Sequence, residues 1–566
     1  MKEKKLLAVD LFSGAGGLSL GFLQTGQVNI VAAVENNASA QKTYVRNHNY
    51  NSSEENRDIV YYKDIRKVDF RKIKDDQQKI DLVFGGPPCQ GFSNANRQKS
   101  ELISTNNQLV KEYVRAIHEL QPDAFVLENV KAMKSDKHKF FYSAKDQEEI
   151  VDKLGINLTL DKFILGMKSN LSDDLVVFLT EYIQNNFDLS PFVITDKTLF
   201  SKISHISRKQ KEAHIYITKA QNSLKKILLK WKEQHSKYWS TAYEDMWLRL
   251  GDLLSSKELT DSSRQQFFVI LNEIIEIQRI LMKMSEIQSN NIEIVDILRD
   301  HKHVCVSVKT YGVMNYLLSK FRSLGYVVND DHILNAAHFG APQLRERLVL
   351  IGVKKDFVKD TTVVLPNSII KDPNQFYKVQ DAIGDLEDIE PFTVMGADRP
   401  IKKNPPNSWN PLLQYLRGNI NTIQNHVMTE TSDTAMERFK ALGPGQNFHD
   451  LHESQKQTYS NPQRTQNTVY SRLDYRKPSG TVMNVRKSMW IHPCKNRAIS
   501  IREAARLQTF PDDFVFEGSK DSQYQQIGNA VPPLLGRAVA EQVLKYLGKS
   551  VKFPLENAIK RMEKNF

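Results

Sequence analysis

The sequence predicts an α/β fold in which parallel strands alternate with helices, as in doubly wound, Rossmann-like sheets. The apolar run Leu6–Phe12 leads directly into a glycine-rich turn, Ser13–Gly17, that opens a helix. A second apolar run, Ile30–Val34, ends in the acidic residue Glu35. Strand-like and helix-like runs then alternate up to residue 130, which is the pattern of a parallel sheet covered by helices.

Composition limits the class of protein. The 566 residues suffice for a catalytic domain plus one or two others, and a hydrophobic content of 40% is ordinary for globular chains. Lys and Arg, 78 in all, exceed the 66 Asp and Glu, which gives a net charge of +12. This excess favours a polyanionic partner such as nucleic acid, although many basic proteins bind nothing acidic.

The cysteines and apolar runs favour a reducing, intracellular compartment. Cys89, Cys305 and Cys494 form neither a disulfide framework nor a paired metal-ligand spacing, so no metal is expected. The apolar run after Lys5 stops at Asp10, too early for a signal peptide, and no run approaches the length of a membrane span. We therefore expect a soluble cytoplasmic protein.

The glycine-rich turn and Glu35 together predict a nucleoside site. A dinucleotide-binding fingerprint would have glycine where this chain has Ser19, so binding of a pyrophosphate is disfavoured. Glu35, at the end of a strand, can bind both hydroxyls of a ribose. Taken alone, Glu35 and Asp64 could equally be solvated carboxylates at strand ends.

The segment Gly85–Ser93 presents Cys89 in a rigid turn directly after the apolar strand Leu82–Phe84. Two prolines restrict the backbone before the thiol, and glycines on both sides allow close approach. Most cysteines are small buried hydrophobes, but that interpretation fits poorly among turn-forming residues. Cys89 is therefore a candidate nucleophile.

Residues 90–130 predict a polar loop, a helix and a strand, Ala124–Leu127, that runs into Glu128 and Asn129. Ligands of open α/β sheets bind at the carboxyl ends of strands, so Cys89 and Glu128 are expected to share a pocket. From about residue 135 to 301 the pattern is mostly helical. Within it, residues 201–240 hold ten Lys or Arg against two Glu, which suits either phosphate contacts or a solvated basic face.

Four later segments carry further signals. Arg345 and Arg347 lead into a strand, Leu348–Gly352, and could also form an exposed strand edge. Residues 500–514 predict a capped helix ended by Pro511, and residues 526–533 precede another helix, Leu534–Leu547. Between residues 371 and 499 periodicity is lost and Pro, Asn, Gln, aromatic and basic residues accumulate, as in loops that contact base edges and phosphates.

These segments, in this order, resemble the motifs of bacterial DNA (cytosine-5-)-methyltransferases of restriction-modification systems. Asp10–Gly17 resembles the first motif of that family and Gly85–Ser93 its Pro-Cys motif. Residues 343–347 resemble its Gln-x-Arg-x-Arg set, residues 500–514 its ninth motif and residues 526–533 its tenth. The resemblance implies a Rossmann-like methyltransferase fold with a helical insertion and a separate, irregular target-recognition domain.

The resemblance also implies a cofactor, S-adenosylmethionine, with S-adenosylhomocysteine as product and no metal. Phe12 would pack on the adenine, Glu35 would bind the ribose, and Asp64 would bind the adenine. Asn36 departs from the family, in which many relatives carry an aromatic or another side chain that helps hold the adenine at this place. The implied cofactor-binding residues are Phe12, Gly14, Ala15, Gly16, Gly17, Leu18, Glu35, Asn36, Asp64, Ile65, Pro87, Asn529 and Ala530.

The catalytic roles follow from the same resemblance. Cys89 would add to carbon 6 of cytosine, and Glu128 would bond ring nitrogen 3 and the exocyclic amine. Arg347 would bond the cytosine carbonyl oxygen and Arg345 would brace the site. The implied catalytic residues are Cys89, Gln90, Glu128, Asn129, Arg345 and Arg347.

The implied domains are a catalytic domain over residues 1–134, 302–370 and 500–566, a helical insertion over 135–301 and a target-recognition domain over 371–499. The expected partner is double-stranded DNA, bound by a nucleoid-associated monomer that flips its target cytosine and pairs functionally with a restriction endonuclease. A transfer-RNA cytosine methyltransferase and a catalytically silent DNA-binding regulator remain alternatives. A nicotinamide oxidoreductase is a more distant one, opposed by Ser19.

Overall fold

The computed structural model describes residues 4–48, 59–88, 105–136, 138–208, 222, 225–226, 237–255, 260–359, 362–459 and 461–560. The chain divides into two compact units. The main unit comprises residues 1–89, 108–134 and 320–566, and the inserted unit comprises residues 90–107 and 135–319. Within the described ranges, every helix is too short or too polar to span a bilayer.

The secondary-structure elements are numbered along the chain. The strands are β1 (Leu6–Leu11), β2 (Val28–Val34), β3 (Val60–Tyr62), β4 (Leu82–Gly85), β5 (Ala124–Val130), β6 (Lys139–Phe141), β7 (Thr159–Met167), β8 (Ile294–Arg299), β9 (His303–Gly312), β10 (Tyr326–Val328), β11 (Ile333–Asn335), β12 (Glu346–Lys354), β13 (Ile401–Lys402) and β14 (Thr422–Ile423). The helices are α1 (Gly17–Leu23), α2 (Ala38–His48), α3 (Phe70–Gln77), α4 (Thr105–Leu120), α5 (Ser172–Asn185), α6 (Lys197–Arg208), α7 (Thr241–Ser255), α8 (Asp261–Ser289), α9 (Val313–Ser323), α10 (Val379–Ile383), α11 (Pro411–Arg417), α12 (Asp433–Ala441), α13 (Glu453–Lys456), α14 (Val485–Ser488), α15 (Ile501–Leu507), α16 (Lys520–Asn529), α17 (Pro533–Tyr546) and α18 (Leu555–Ile559).

The main unit is built on one mixed sheet with the strand order β10-β12-β5-β4-β1-β2-β3, and β11 also pairs with β12. The five strands from β5 to β3 are parallel, whereas β12 runs antiparallel to β5 and to β10. The predicted α/β, Rossmann-like class is confirmed. The strand order reverses between β1 and β4, and crevices at such switch points are where ligands of this fold bind.

The predicted strand and helix boundaries hold with small shifts. Phe12 leaves β1 with a φ of +57°, β2 begins at Val28 rather than Ile30, and β5 continues past Glu128 to Val130. Helix α15 is capped, as predicted, and the structure shows that the cap is a capping box in which Ser500 and Glu503 bond each other's backbone N–H groups. It ends at Leu507, before Pro511 is reached.

The C-terminal part of the chain closes the main unit, as the sequence predicted. A Cβ atom on Gly21 of α1 would lie 2.4 Å from the backbone nitrogen of Arg537, and one on Gly536 would lie 3.2 Å from the carbonyl oxygen of Leu18. Glycine at both positions therefore allows α1 and α17 to pack backbone against backbone. Helix α17 thus lies on the helix that follows the glycine turn.

The inserted unit contains helices α5 to α8, as predicted, together with a sheet that was not predicted. Strand β9 pairs with β7 on one side and with β6 and β8 on the other. Because β9 belongs to this sheet, the structure moves the end of the insertion from residue 301 to residue 319. Of the ten basic residues between 201 and 240, the structure describes Lys202, Arg208, Lys225, Lys226 and Lys237, whereas Lys209, Lys211, Lys219, Lys230 and Lys232 lie outside the described residues.

Residues 371–499 are irregular, as predicted, with short helices α10 to α14 and one two-stranded ribbon, β13–β14. They do not form a separate unit, which corrects the predicted division. Leu412 and Val482 belong to the same apolar core as Phe84 and Val126 of the central strands. A shared core joins this region to the catalytic sheet.

A buried network of charges holds α15 against this irregular region. Arg506 donates to both carboxylate oxygens of Asp512, at 2.8 and 2.7 Å, and also binds Asp385. Lys403 donates to Asp512 at 2.7 Å, and Arg417 pairs with Asp385. Burial opposes ionisation of Asp512, but the charge of Arg506 prevails and lowers the pKa of this carboxyl to about 2.

Replacing Arg506 with leucine should destabilise the protein strongly. The substitution leaves Asp512 and Asp385 buried with less positive charge, and breaking a buried pair in this way costs about 3–5 kcal/mol. The free energy of unfolding in urea should fall by that amount. The control is Arg46→Leu, which breaks an exposed pair with Glu517 and should leave the unfolding midpoint nearly unchanged. Equal effects of the two substitutions would contradict this interpretation.

Candidate active site

The glycine loop after β1 is fixed by Glu35 at the end of β2. The backbone N–H of Gly14 donates to Oε2 of Glu35 at 2.8 Å, and that of Asn37 donates to Oε1 at 2.6 Å. Gly14 and Gly16 have φ angles of +55° and +92°, a backbone region that favours glycine. Burial raises the pKa of Glu35. The structure therefore places Glu35, which is predicted to bind the ribose, in contact with the predicted glycine loop.

The other predicted cofactor residues surround this loop with different degrees of exposure. Ala15 and Leu18 are buried, Phe12 is half-buried and Asn36 is exposed. Asp64, after β3, forms a bidentate ion pair with Arg66 at 2.9 Å through each oxygen. These bonds lower the pKa of Asp64.

The predicted tenth motif returns to the glycine loop. A Cβ atom on Gly17 would lie 2.3 Å from the carbonyl oxygen of Val531 and 3.3 Å from the Cβ of Ala530. Asn529 is exposed and accepts a hydrogen bond from Gln525 at 2.8 Å. Segments that are far apart in sequence therefore meet at the end of β1.

The turn after β4 packs on the end of β5. A Cβ atom on Gly86 would lie 2.7 Å from Oε2 of Glu128, and the side-chain amide of Asn129 donates to the carbonyl of Pro87 at 2.7 Å. The structure thus anchors the backbone just before Cys89 beside Glu128. Cys89 and Gln90 themselves lie outside the described residues, so their roles stay predictions.

Glu128 forms a buried ion pair with Arg347. Nε of Arg347 lies 2.8 Å from Oε1 of Glu128, and the two side chains are only 11% and 12% exposed. Antiparallel pairing of β12 with β5 sets this contact, because Arg347 lies opposite Val130. Burial raises the pKa of Glu128, while the charges of Arg347 and Arg345 oppose the rise.

Arg345 has no exposed surface and acts as a brace between segments. It donates to the carbonyl of Val482 at 2.7 Å and to the carbonyls of Gly528 and Ala530, each at 2.8 Å. The arginine therefore connects the strand that carries Arg347 to the segment that meets the glycine loop. The role of Arg345 in bracing the site around a cytosine stays a prediction.

Sequence reasoning missed two groups of residues here. Gln343 donates to the carbonyl of Leu507 and to the side chain of Gln508, at 2.8 and 2.7 Å, and accepts from the N–H of Val482. The sequence signal that could have identified Gln343 was its place in the Gln-x-Arg-x-Arg set. The second group comprises Asp10 and the two hydroxyl groups that donate to it, those of Ser19 and Tyr44. Its only signal in the sequence was the place of Asp10 in the first motif. No cluster of His, Cys, Asp and Glu suited to a metal ion occurs among the residues that the structure describes.

A comparison with family models decides the identity. The model of C-5 cytosine-specific DNA methylases matches residues 6–156 and 291–545, which is well over half of the chain. The chain belongs to this family. The predicted DNA (cytosine-5-)-methyltransferase is thereby confirmed at the level of the family. The internal stretch of this methylase that the family model leaves unmatched, 157–290, lies within its inserted unit.

Curated relatives are Type II methyltransferases. The methylase is 33% identical to M.DdeI of Desulfomicrobium norvegicum over 257 residues, which cover 43% of this chain and 60% of that protein. It is 25% identical to M.XorII of Xanthomonas oryzae over 568 residues, which cover 97% of this chain and 87% of that protein. The chain thus spans less than two thirds of the first relative and most of the second.

A solved structure has a similar fold. It is described as a DNA modification methyltransferase encoded within a prophage of E. coli and is 20% identical to this methylase, with a TM-score of 0.51. The match covers 96% of this chain and 100% of that chain. At this identity the likeness shows the fold alone.

Proposed function

We propose that the methylase transfers a methyl group from S-adenosylmethionine to carbon 5 of a cytosine within a specific sequence of double-stranded DNA. The observation that carries the proposal is the buried pair of Glu128 and Arg347, which lies against the Gly86–Pro87 turn. This turn and the glycine loop follow adjacent strands, β4 and β1. A methyl donor and a cytosine bound at these two places would therefore be neighbours.

The residues at the glycine loop fit S-adenosylmethionine. Glu35 presents carboxylate oxygens that can accept from ribose hydroxyls, and the loop lacks the third glycine of a pyrophosphate site. Ile65 is buried after β3, where an adenine would lie in this fold, and Gly17 keeps the Ala530 segment close. When bound, S-adenosylmethionine supplies an electrophilic methyl group on a sulfonium.

Cys89 is proposed as the nucleophile that makes carbon 5 reactive. Its thiolate would form a bond to carbon 6, and the electron pair of the 5,6 double bond would become available at carbon 5 for methylation. Loss of the carbon 5 proton to a base then expels the thiolate and restores the ring. The anchoring of Pro87 by Asn129 supports a fixed position for this turn.

Glu128 is proposed to donate a hydrogen bond or proton to ring nitrogen 3 while Cys89 adds. Burial raises the pKa of Glu128, which favours the protonated form that such a role needs. Arg347 holds Oε1 of this carboxyl and also donates to the carbonyl of Glu346 at 2.8 Å. We propose that the same guanidinium binds the cytosine carbonyl oxygen.

Access to the ring requires that the cytosine leave the duplex, so base flipping is part of the proposal. Residues 371–499 are proposed to read the target sequence. The similarity of the chain to Type II methyltransferases supports functional pairing with a restriction endonuclease. A monomer bound to DNA is sufficient for this scheme.

Bisulfite sequencing of DNA from cells that express the methylase tests the proposal. Cytosines within one short sequence should resist conversion, and cells that express Glu128→Gln should show no protected sequence. Purified enzyme should likewise label duplex DNA but not transfer RNA with a radioactive methyl group. Labelling of transfer RNA alone would favour the alternative substrate, and no labelling of either would refute the proposal.

Glu35→Ala should weaken cofactor binding more than any later step. The substitution removes the proposed ribose ligand and the acceptor of the Gly14 and Asn37 N–H groups. We expect a loss of affinity for S-adenosylhomocysteine of about 100-fold by calorimetry, on the scale of hydrogen bonds to a charged group. Asp75→Ala, on helix α3, is the control and should bind normally. Unchanged affinity in Glu35→Ala would show that the ribose assignment is wrong.

A further inference from the structure

Asp10 is a buried carboxylate at the end of β1, close to the start of the glycine loop. It is 1% exposed, and its Oδ2 accepts hydrogen bonds from the hydroxyl of Ser19 and, at 2.9 Å, from the phenol of Tyr44. Both donors are neutral and fully buried. Ser19 stands where a dinucleotide-binding loop would have glycine, so its hydroxyl serves this carboxylate instead.

No cation compensates this charge within the described ranges. Asp10 and Glu35 flank the same loop, and neither forms an ion pair with a described Lys, Arg or His. The nearby His48 packs against Tyr44, and burial lowers its pKa to about 4, so its ring is neutral at pH 7. Glu35 is at least partly compensated by two backbone N–H groups, whereas Asp10 has only hydroxyl donors.

Asp10 is buried and Glu35 is half-buried, and two such carboxylates without a cation are unusual, because buried charges are normally paired or neutralised. Burial raises the pKa of Asp10 to about 7, and the charge of Glu35 adds to the rise, while the bonds from Ser19 and Tyr44 oppose it. Among the residues that the structure describes, Tyr113 of α4 also faces Asp10, and burial raises its own pKa. A positively charged ligand at this loop would supply the missing counter-charge.

We propose that Asp10 is a specificity-determining residue whose buried charge favours the cationic sulfonium cofactor over its neutral thioether product. The inference rests on the proposed function. S-adenosylmethionine and S-adenosylhomocysteine share the ribose, adenine and amino-acid groups and differ in the methyl group and the charge on sulfur. Contacts such as that of Glu35 with the ribose are common to both ligands, so they cancel when the two affinities are compared.

The inference predicts a proton linkage. Binding of a cation stabilises the Asp10 carboxylate, so near neutral pH the carboxyl releases its proton to solvent. Affinity for the sulfonium should therefore rise as the pH increases through about 7, where burial has placed the pKa of Asp10, and affinity for the thioether should not. A displacement of the pKa by one unit corresponds to about a tenfold change in affinity. We expect the ratio of the two affinities to increase about tenfold between pH 5.5 and pH 8.

Calorimetry on the full wild-type chain provides the first test. The ligands are S-adenosylmethionine, S-adenosylhomocysteine and sinefungin, an analogue whose amine replaces the sulfonium. Titrations in two buffers with different ionisation enthalpies count the protons released. Proton release at pH 7 with both cationic ligands, and much less with the thioether, is the expected result. A ratio of affinities that does not change with pH would overturn the inference.

The variant Asp10→Asn provides the second test, because asparagine can still accept from Ser19 and Tyr44. It should bind both cationic ligands about tenfold more weakly, bind the thioether within about twofold of wild type, and lose the pH dependence. Ser19→Ala keeps the carboxylate and should keep the preference for cations. Equal weakening of all three ligands by Asp10→Asn would assign Asp10 a structural role only and overturn the inference.

These outcomes are distinct from failure of the proposed function. If wild-type protein binds none of the three ligands, the proposed cofactor is wrong and the inference fails with it. If it binds them with equal, pH-independent affinities, only the inference fails. The wild-type pH series needs no substitution, so it decides the question even where Asp10→Asn does not fold.

Discussion

Cys89→Ala should abolish methyl transfer and should no longer form a covalent complex with DNA that carries 5-fluorocytosine at the target. In the proposed mechanism the wild-type thiolate bonds to carbon 6, and fluorine at carbon 5 would prevent the proton loss that expels it. The adduct should therefore survive denaturation. Removal of a covalent nucleophile costs on the order of 10⁴-fold or more in rate.

The other two cysteines are matched controls for this experiment. Cys494 is exposed and Cys305 is buried in the inserted unit, and neither follows a strand of the parallel sheet. Cys494→Ala and Cys305→Ala should form the adduct at the wild-type rate. An adduct that persists in Cys89→Ala, or that disappears in Cys494→Ala, would contradict the assignment of the nucleophile.

The parts of the fold that could be predicted from the sequence are those set by local patterns. The apolar strand before Ser13 and the glycines after it occur within a dozen residues, and so do the capping-box partners Ser500 and Glu503. Each such pattern carries its own physical reason, either burial of a strand or satisfaction of helix-end N–H groups. These elements appear in the structure with shifts of one to three residues.

Local sequence patterns do not specify contacts between segments that are far apart in the chain. The pair of Glu128 and Arg347 depends on the antiparallel register of β12 on β5, which no local feature of either strand specifies. For the same reason β9 was assigned to the catalytic domain, although its pairing with β7 and β8 places it in the inserted unit.

The sequence predicts that basic residues of the irregular region, 371–499, contact DNA. In the structure several of them instead donate hydrogen bonds within the protein. Arg472 is buried and donates to the carbonyls of His492, Lys495 and Phe439. Arg438 likewise donates to a carbonyl and two hydroxyls. A region with little secondary structure leaves many carbonyls without partners, and long side chains with several N–H groups supply them. The count of Lys and Arg therefore overstates the charge available for phosphates.

Glu128→Gln should reduce the rate of methyl transfer by about 100-fold or more, on the scale of general acid–base catalysis. Glutamine keeps the shape of the side chain, but it cannot supply the proton that Glu128 is proposed to donate, a role that the raised pKa of this carboxyl favours. It also leaves the charge of the buried Arg347 without its partner. Single-turnover methylation of target duplex, with enzyme in excess, separates this chemical step from product release.

The neighbouring carboxylate provides a matched control for this substitution. Glu346 lies beside Arg347 in β12, but its side chain is 47% exposed and pairs with Lys131 at 2.8 Å. Glu346→Gln should methylate DNA within about twofold of the wild-type rate, because exposed ion pairs contribute little. Both variants should bind S-adenosylhomocysteine and target duplex as wild type does, since Glu128 is proposed to act on the cytosine ring. A single-turnover rate in Glu128→Gln within threefold of that in Glu346→Gln would refute its role in activating the base.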